Sequence, residues 1–260
     1  MPPLTYSTYL KIDELLELQQ PRSKPAEHDE TLFIIIHQVY ELWFKQILHE
    51  IRFLQRALEA NDPPTALHGF KRVLTILKTL VAQVDVLETM TPLSFNSFRD
   101  YLESGSGFQS AQFRELEFAL GIRNPKMIRH HANTPAAERL EALADSPTLY
   151  DSFLRFLSQN GHDIPDSILH RDFSERYEPS EKVQDAIIEI YRHHPIHAQI
   201  CERLVDLDEG LQEWRYRHVK MVERTIGTKP GTGGSPGAEY LKTTLFRPVF
   251  PDLWAVRTRF

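Results

Sequence analysis

Between Glu30 and Thr89 the apolar residues recur every three or four positions, and only Asn61-Asp-Pro-Pro64 interrupts the pattern. That spacing lays one apolar stripe along each of two long helices, which must bury their stripes against each other and against further elements. The first helix is expected from about Glu30 to Ala60, with Asp29 as its N-cap. The second is expected from about Thr65 to Thr89, closed by Thr91-Pro92. Its apolar face carries Leu67, Phe70, Val73, Leu74, Leu77, Leu80 and Val81.

The rest of the chain repeats this theme. Helical spacing recurs over residues 10–19, 110–120, 149–158 and 181–191. A last long helix is expected from Pro195, a residue suited to a first helical turn, to about Ile226. Residues 93–108 are less regular, 122–147 carry weak helix signals and read as surface structure, and 160–179 read as a loop. No run of alternating β-branched residues marks a strand. No internal repeat and no linker-like stretch divides the chain, so the expectation is an all-α, single-domain helical bundle over residues 1–260. The tail from Leu241 to Phe260 carries Phe246, Val249, Phe250, Leu253, Trp254 and Phe260. So much apolar surface at a terminus predicts docking on the body or on another subunit.

Several function classes are disfavoured by composition. The net charge is -6 with both signs mixed, which offers no footprint for nucleic acid and no polybasic membrane patch. The densest apolar stretch, Leu32 to Leu48, is broken by His37, Gln38, Glu41, Lys45 and Gln46, too polar for a membrane span. The single cysteine, Cys201, rules out an internal disulfide framework and a Cys-rich zinc site. It reads as an inert thiol in a reducing compartment, and the chain as cytoplasmic.

Five of the eleven glycines fall between Gly227 and Gly237, directly after the last long helix. Ordering so much glycine is entropically costly, so the segment is expected to wrap a ligand closely. A phosphate loop is excluded, because no Gly-Lys-[Ser/Thr] ending and no preceding strand are present. A dinucleotide fingerprint fails for want of a third glycine at the right spacing. No nucleophile-and-histidine pair or paired carboxylates can be assigned.

Three residues stand out as candidates. His37 lies in an apolar, aromatic context with Phe33, Tyr40 and Phe44 on its helical face; it is either a satisfied core histidine or a pocket residue. His218, one turn after Trp214 and one before Met221 and Val222, is either structural or an axial haem ligand. Arg99, between Phe98 and Tyr101, either makes an ordinary salt bridge or clamps a carboxylate. His193 and His197 have the i,i+4 spacing of a metal pair, but Pro195 lies between them and no carboxylate triad accompanies them. The histidines at 28, 49, 68, 130, 131, 162 and 170 read as surface or capping residues.

Taken in order, His37-Gln-Val-Tyr-Glu-Leu-Trp-Phe-Lys-Gln, Phe95-Asn-Ser-Phe-Arg99-Asp-Tyr-Leu, Ser106-Gly-Phe-Gln-Ser, Trp214-Arg-Tyr-Arg-His218 and Gly231-Thr-Gly-Gly-Ser resemble the tryptophan 2,3-dioxygenase family. The likeness runs from Leu4-Thr-Tyr6-Ser-Thr-Tyr9 to Leu253-Trp-Ala-Val-Arg-Thr. It implies a bundle enclosing haem b, one per subunit and ferrous when active, in a homotetramer built as a dimer of dimers. It implies opening of the L-tryptophan indole ring by O2 to N-formylkynurenine, the first step of the kynurenine pathway. By the same resemblance His218 would be the axial ligand to iron and Trp214 either a support for it or core. His37 would accept the indole N–H. Phe33 and Phe95 would wall the indole pocket, and Arg99 and Thr232 would hold the zwitterion. Ser106 and Gly107 would lie beside the haem. An N-terminal arm, residues 1–28, would bring Tyr6 and Tyr9 to a neighbouring subunit's pocket, and residues 227–240 would form an active-site loop. A relative that inserts one oxygen atom or acts on a modified tryptophan in secondary metabolism, and a non-catalytic haem or helical scaffold, are the alternatives at this point.

Overall fold

A computed structural model of the chain describes residues 3–233 and 237–260. Gly234, Ser235 and Pro236 lie outside the described residues, and with them the stiffening of the loop exit expected from Pro236. Among the described residues there are helices and no strand, as the periodicity predicts. Two short helices, α1 (Tyr6–Leu10) and α2 (Ile12–Leu16), form the N-terminal arm, where one amphipathic piece over 10–19 was expected; neither buries a residue.

The body is organised by three long helices, α3 (His28–Glu59), α4 (Pro63–Leu87) and, later in the chain, one over Pro195–Ile226. At 1.5 Å per residue they run roughly 37–48 Å. The stripe of α3 buries Phe44, Ile47, Leu48, Ile51, Leu54 and Leu58, and that of α4 buries Phe70, Val73, Leu77, Leu80 and Val84. Each such side chain stabilises the fold by roughly 1.5–3 kcal/mol relative to exposure. Asp62 caps α4 by accepting the Thr65 N–H at 3.1 Å, ahead of Pro63 and Pro64 in the first turn.

The start of α3 differs from expectation. Glu27, not Asp29, is the N-cap, and no side chain caps it. Instead the arm ties the helix down. The buried Glu30 carboxylate accepts from the backbone N–H groups of Arg22 at 2.6 Å and Ser23 at 3.0 Å. The Ser23 hydroxyl in turn accepts from the Glu27 N–H at 2.8 Å. A tertiary carboxylate has taken the place of a local cap.

After α4 come α5 (Pro92–Arg99), two single 3-10 turns at Asp100–Leu102 and Gly107–Gln109, and α6 (Ala111–Ala119). The stretch with weak helix signals forms α7 (Pro125–His130) and α8 (Pro135–Ala144), mostly at the surface, with Met127 and Leu140 making a small satellite core with Phe118. Next are α9 (Leu149–Gln159), α10 (Asp166–Leu169), α11 (Glu181–His193) and α12 (Pro195–Ile226). The chain's Asn-Gly pair, Asn160-Gly161, closes α9 rather than turning a hairpin.

The tail, α13 (Ala238–Lys242) and α14 (Pro251–Ala255), docks on the body of its own chain. Phe250, Leu253 and Val256 join the main core. Two buried carboxylates fasten it. Asp208 of α12 accepts from the N–H groups of Val249 and Phe250 and from Trp254 Nε1. Asp252 accepts from Tyr150, Tyr177, the Ser180 N–H and Gln184. Cys201 is fully buried in the same core, and burial pushes its thiol pKa up. No helix among the described residues is long and apolar enough to cross a membrane.

Candidate active site

One cavity of about 250 Å³ opens between α3, α5, the 3-10 turns, the start of α6, α12 and the Gly-rich segment. Its wall contains Phe33, His37, Phe95, Arg99, Ser106, Gly107, Trp214, His218 and Thr232. Residues spread over two hundred positions thus meet in one place. Tyr6 and Tyr9 do not join them; both stand exposed on α1, 75% and 70% accessible.

His37 projects from α3 beside Phe33, their ring centroids 4.1 Å apart. Phe33 in turn packs against Phe95 at 5.8 Å and Phe98 at 5.5 Å, which builds an aromatic wall. The Nδ1 of His37 lies 2.7 Å from the Phe33 carbonyl oxygen. A carbonyl only accepts, so Nδ1 carries the proton and Nε2 is left as an acceptor. Burial lowers the pKa of this ring below 6.5, against opposing effects of the Phe33 carbonyl and Glu41. His37 is therefore neutral at neutral pH.

His218 reaches the cavity from α12. Its ring stacks nearly parallel on Trp214, with centroids 5.3 Å apart and 7° between planes. Burial brings its pKa down to about 4, with smaller contributions from His37 and Arg114. A neutral imidazole held in one orientation by an indole keeps a lone pair available for a metal.

Behind these rings lies an ionic cluster that no sequence motif announced. Arg114 Nη1 donates to Glu117 Oε2 at 2.6 Å, and Arg215 Nη2 donates to Glu117 Oε1 at 2.7 Å. All three are buried and line the cavity. Two guanidinium groups share one carboxylate, which leaves a net charge of +1 in the wall. Arg114 Nε and Trp214 Nε1 are buried without a hydrogen-bond partner among the described residues. Unsatisfied buried donors are costly, so a bound acceptor beside these two would be favoured. The one legible trace was the i,i+3 spacing of Arg114 and Glu117, which is common on solvated helices.

At the cavity's other edge Arg99 Nη2 donates to the Pro230 carbonyl at 2.6 Å, and the Thr232 hydroxyl donates to the Gly105 carbonyl. These contacts draw the Gly-rich segment onto the Ser104–Gly107 turn. A Cβ on Gly233 would lie 2.7 Å from Ser106 Cβ, so only glycine permits that approach. Gly237 adopts φ +64°, and a Cβ there would come 2.7 Å from the Lys229 carbonyl.

Comparison with known proteins covers nearly the whole chain. A family model described as tryptophan 2,3-dioxygenase matches residues 1–144 and 144–260. The tryptophan 2,3-dioxygenase of Herpetosiphon aurantiacus is 61% identical over 254 residues, 98% of this chain and 97% of the relative. The chain belongs to the tryptophan 2,3-dioxygenase family. The tryptophan 2,3-dioxygenases of Anaeromyxobacter dehalogenans (58% identical; 98% and 95% of the two chains) and Caulobacter vibrioides (45%; 98% of each) span it equally fully. The residues matched by the family model take in both the first short helices and the docked tail.

Two further histidine expectations can be placed. His131 is buried rather than superficial. The i,i+4 pair that Pro195 argued against does not form: His193 turns to Glu189 at 3.4 Å, whereas His197 meets His162 and His194 at the far end of α12.

Proposed function

We propose that this cavity is where the chain opens the indole ring of L-tryptophan with O2 to give N-formylkynurenine, the entry to the kynurenine pathway. The observation that carries the reading is the pair of neutral histidines, His37 from α3 and His218 from α12, lining one aromatic cavity. The donor set fits a haem. His218 offers an unprotonated nitrogen for iron, and Trp214 holds its ring. Arg114 and Arg215, with a net positive charge and unpartnered donors beside them, suit the acidic side chains of haem b. When bound and ferrous, one haem per subunit would supply the oxygen chemistry, and the protein supplies binding and orientation.

The chain's own groups then have separable tasks. Phe33 and Phe95 pack the two faces or edges of an indole, and His37 Nε2 accepts its N–H. Arg99 has further N–H donors besides the one given to Pro230, and these pair the substrate carboxylate; Thr232 contributes to the zwitterion's polar end. Pairing matters because an unpaired charge in such a cavity costs several kcal/mol. Holding the indole C2–C3 bond in one place lowers the barrier by positioning, and no protein nucleophile is needed. Ser106 and Gly107 border the haem space. We read residues 1–260 as one catalytic domain with residues 227–240 as its active-site loop.

The exposed arm supports assembly. Leu4, Tyr6, Tyr9, Leu16 and Leu18 are all more than half accessible, an apolar set that a second subunit would cover. We infer a cytoplasmic homotetramer, a dimer of dimers, in which Tyr6 and Tyr9 complete a neighbour's pocket. Turnover under labelled O2 tests the reaction. The product mass should rise by two oxygen atoms from O2, and a rise of one would replace ring cleavage with single-oxygen insertion.

A further inference from the structure

His162, His194 and His197 each present a ring nitrogen within 4.8 Å of the other two. They reach this point from three places: the turn after α9, the junction of α11 and α12, and the first turn of α12. His162 Nε2 and His197 Nδ1 are 2.9 Å apart, and the His194 ring stands at 90° to His162 and parallel to His197. Phe156 backs the His197 ring edge to face at 5.0 Å. His197 lies 21 residues before His218 on one helix, which places the cluster roughly 30 Å from the cavity.

We propose that these three imidazoles form a second metal site, for a divalent first-row transition ion such as zinc, with structural rather than catalytic work. Three neutral imidazoles carry three N–H groups and three lone pairs. The short contact between His162 and His197 holds one N–H between the two rings; an ion takes its place once that proton moves to the ring's other nitrogen, which turns one lone pair of each imidazole toward the site. An all-nitrogen set suits zinc, copper or nickel and not calcium or magnesium. Tetrahedral zinc with bonds near 2.0–2.1 Å needs nitrogens roughly 3.3 Å apart, so His162 and His197 must part by only a few tenths of an ångström and His194 must close in. His194 is exposed and His162 and His197 are half-buried, which leaves an entry path and room for a water as fourth ligand. Pro195, at the first position of α12, fixes the backbone between two of the ligands. The ion would pin the turn after α9 to the α11–α12 junction, closing a loop of about thirty residues.

Chelator-treated, untagged holoprotein titrated with zinc by calorimetry tests this. One equivalent should bind with Kd below 10 μM, the haem iron being counted separately. His162→Ala and His194→Ala should each weaken binding at least tenfold, whereas His193→Ala, next to the site but turned away, should not. Zinc-edge X-ray absorption of the loaded protein should show three imidazole nitrogens. A wild-type Kd of 10 μM or weaker, His162→Ala binding as tightly as wild type, or fewer than two imidazoles in the zinc shell would each overturn the site. Far-ultraviolet circular dichroism distinguishes a lost ligand from a lost fold in the variants.

Discussion

Replacing Arg99 with alanine removes the cavity's candidate partner for a substrate carboxylate. The guanidinium is half-buried and already gives one N–H to the Pro230 carbonyl at 2.6 Å, which aims its remaining donors along the cavity edge. A charge-assisted pair of this kind contributes roughly 1.5–3 kcal/mol. At 1.36 kcal/mol per tenfold, Arg99→Ala should raise KM for L-tryptophan roughly 10- to 150-fold. The carboxylate lies far from the bond that breaks and is held equally in ground and transition states, so kcat should change much less. Initial rates of N-formylkynurenine formation against L-tryptophan concentration give both parameters. Loss of the Pro230 contact could disturb the Gly-rich segment by itself, and a second ligand separates the two effects. Tryptamine, which lacks the carboxylate, should inhibit wild type and variant with the same affinity. A KM within threefold of wild type, or an equal loss of tryptamine binding, would refute the clamp.

Four other outcomes follow from the same geometry. His37 must be neutral to accept an N–H, and its pKa lies below 6.5; the neutral ring therefore persists as pH falls past 6.5 and is lost only as pH falls through the depressed value. The acid limb of kcat/KM should be centred below pH 6.5, and a midpoint at or above 6.5 would exclude His37 as the acceptor. For stability the sign is the same: His218 binds its proton less readily folded, at about 4, than unfolded at 6.5, so the haem-free protein should lose stability as pH falls between those values, measurable by urea denaturation. Asp252→Ala strands the buried Tyr150 hydroxyl and three half-buried donors and should cost roughly 2–3 kcal/mol, with the tail released to proteolysis; an unchanged midpoint would show that Asp252 does not hold α14. Deleting residues 1–9 should lower turnover while leaving haem content intact, and full activity would remove Tyr6 and Tyr9 from a neighbour's pocket.

The long helices were legible because their apolar residues repeat at 3.6 and proline or a turn marks their ends; α3, α4 and α12 fall within two residues of expectation. The cap of α3 was not, because Glu30 is satisfied by Arg22 and Ser23 across a bend in the chain rather than by its immediate neighbours. Helices α7 and α8 gave only weak signals for a related reason: each buries only one or two side chains, Met127, Ala136 and Leu140, too few to stand out as a stripe. The cavity's aromatic and basic residues were placed by their resemblance to a family, and the fold brings nine of the eleven together. The Arg114–Glu117–Arg215 cluster and the three histidines at the start of α12 carry no local signature. Each depends on elements distant in sequence that approach only after the bundle has packed.

The most direct test of the account is the absorption spectrum of the purified protein, ferric and dithionite-reduced, with and without L-tryptophan, beside that of His218→Ala. A haem held by His218 beside a tryptophan pocket predicts a Soret band that shifts on reduction, shifts again with L-tryptophan, and is lost or altered in ligation in the variant. A Soret band identical in His218→Ala, or one indifferent to L-tryptophan, would contradict it.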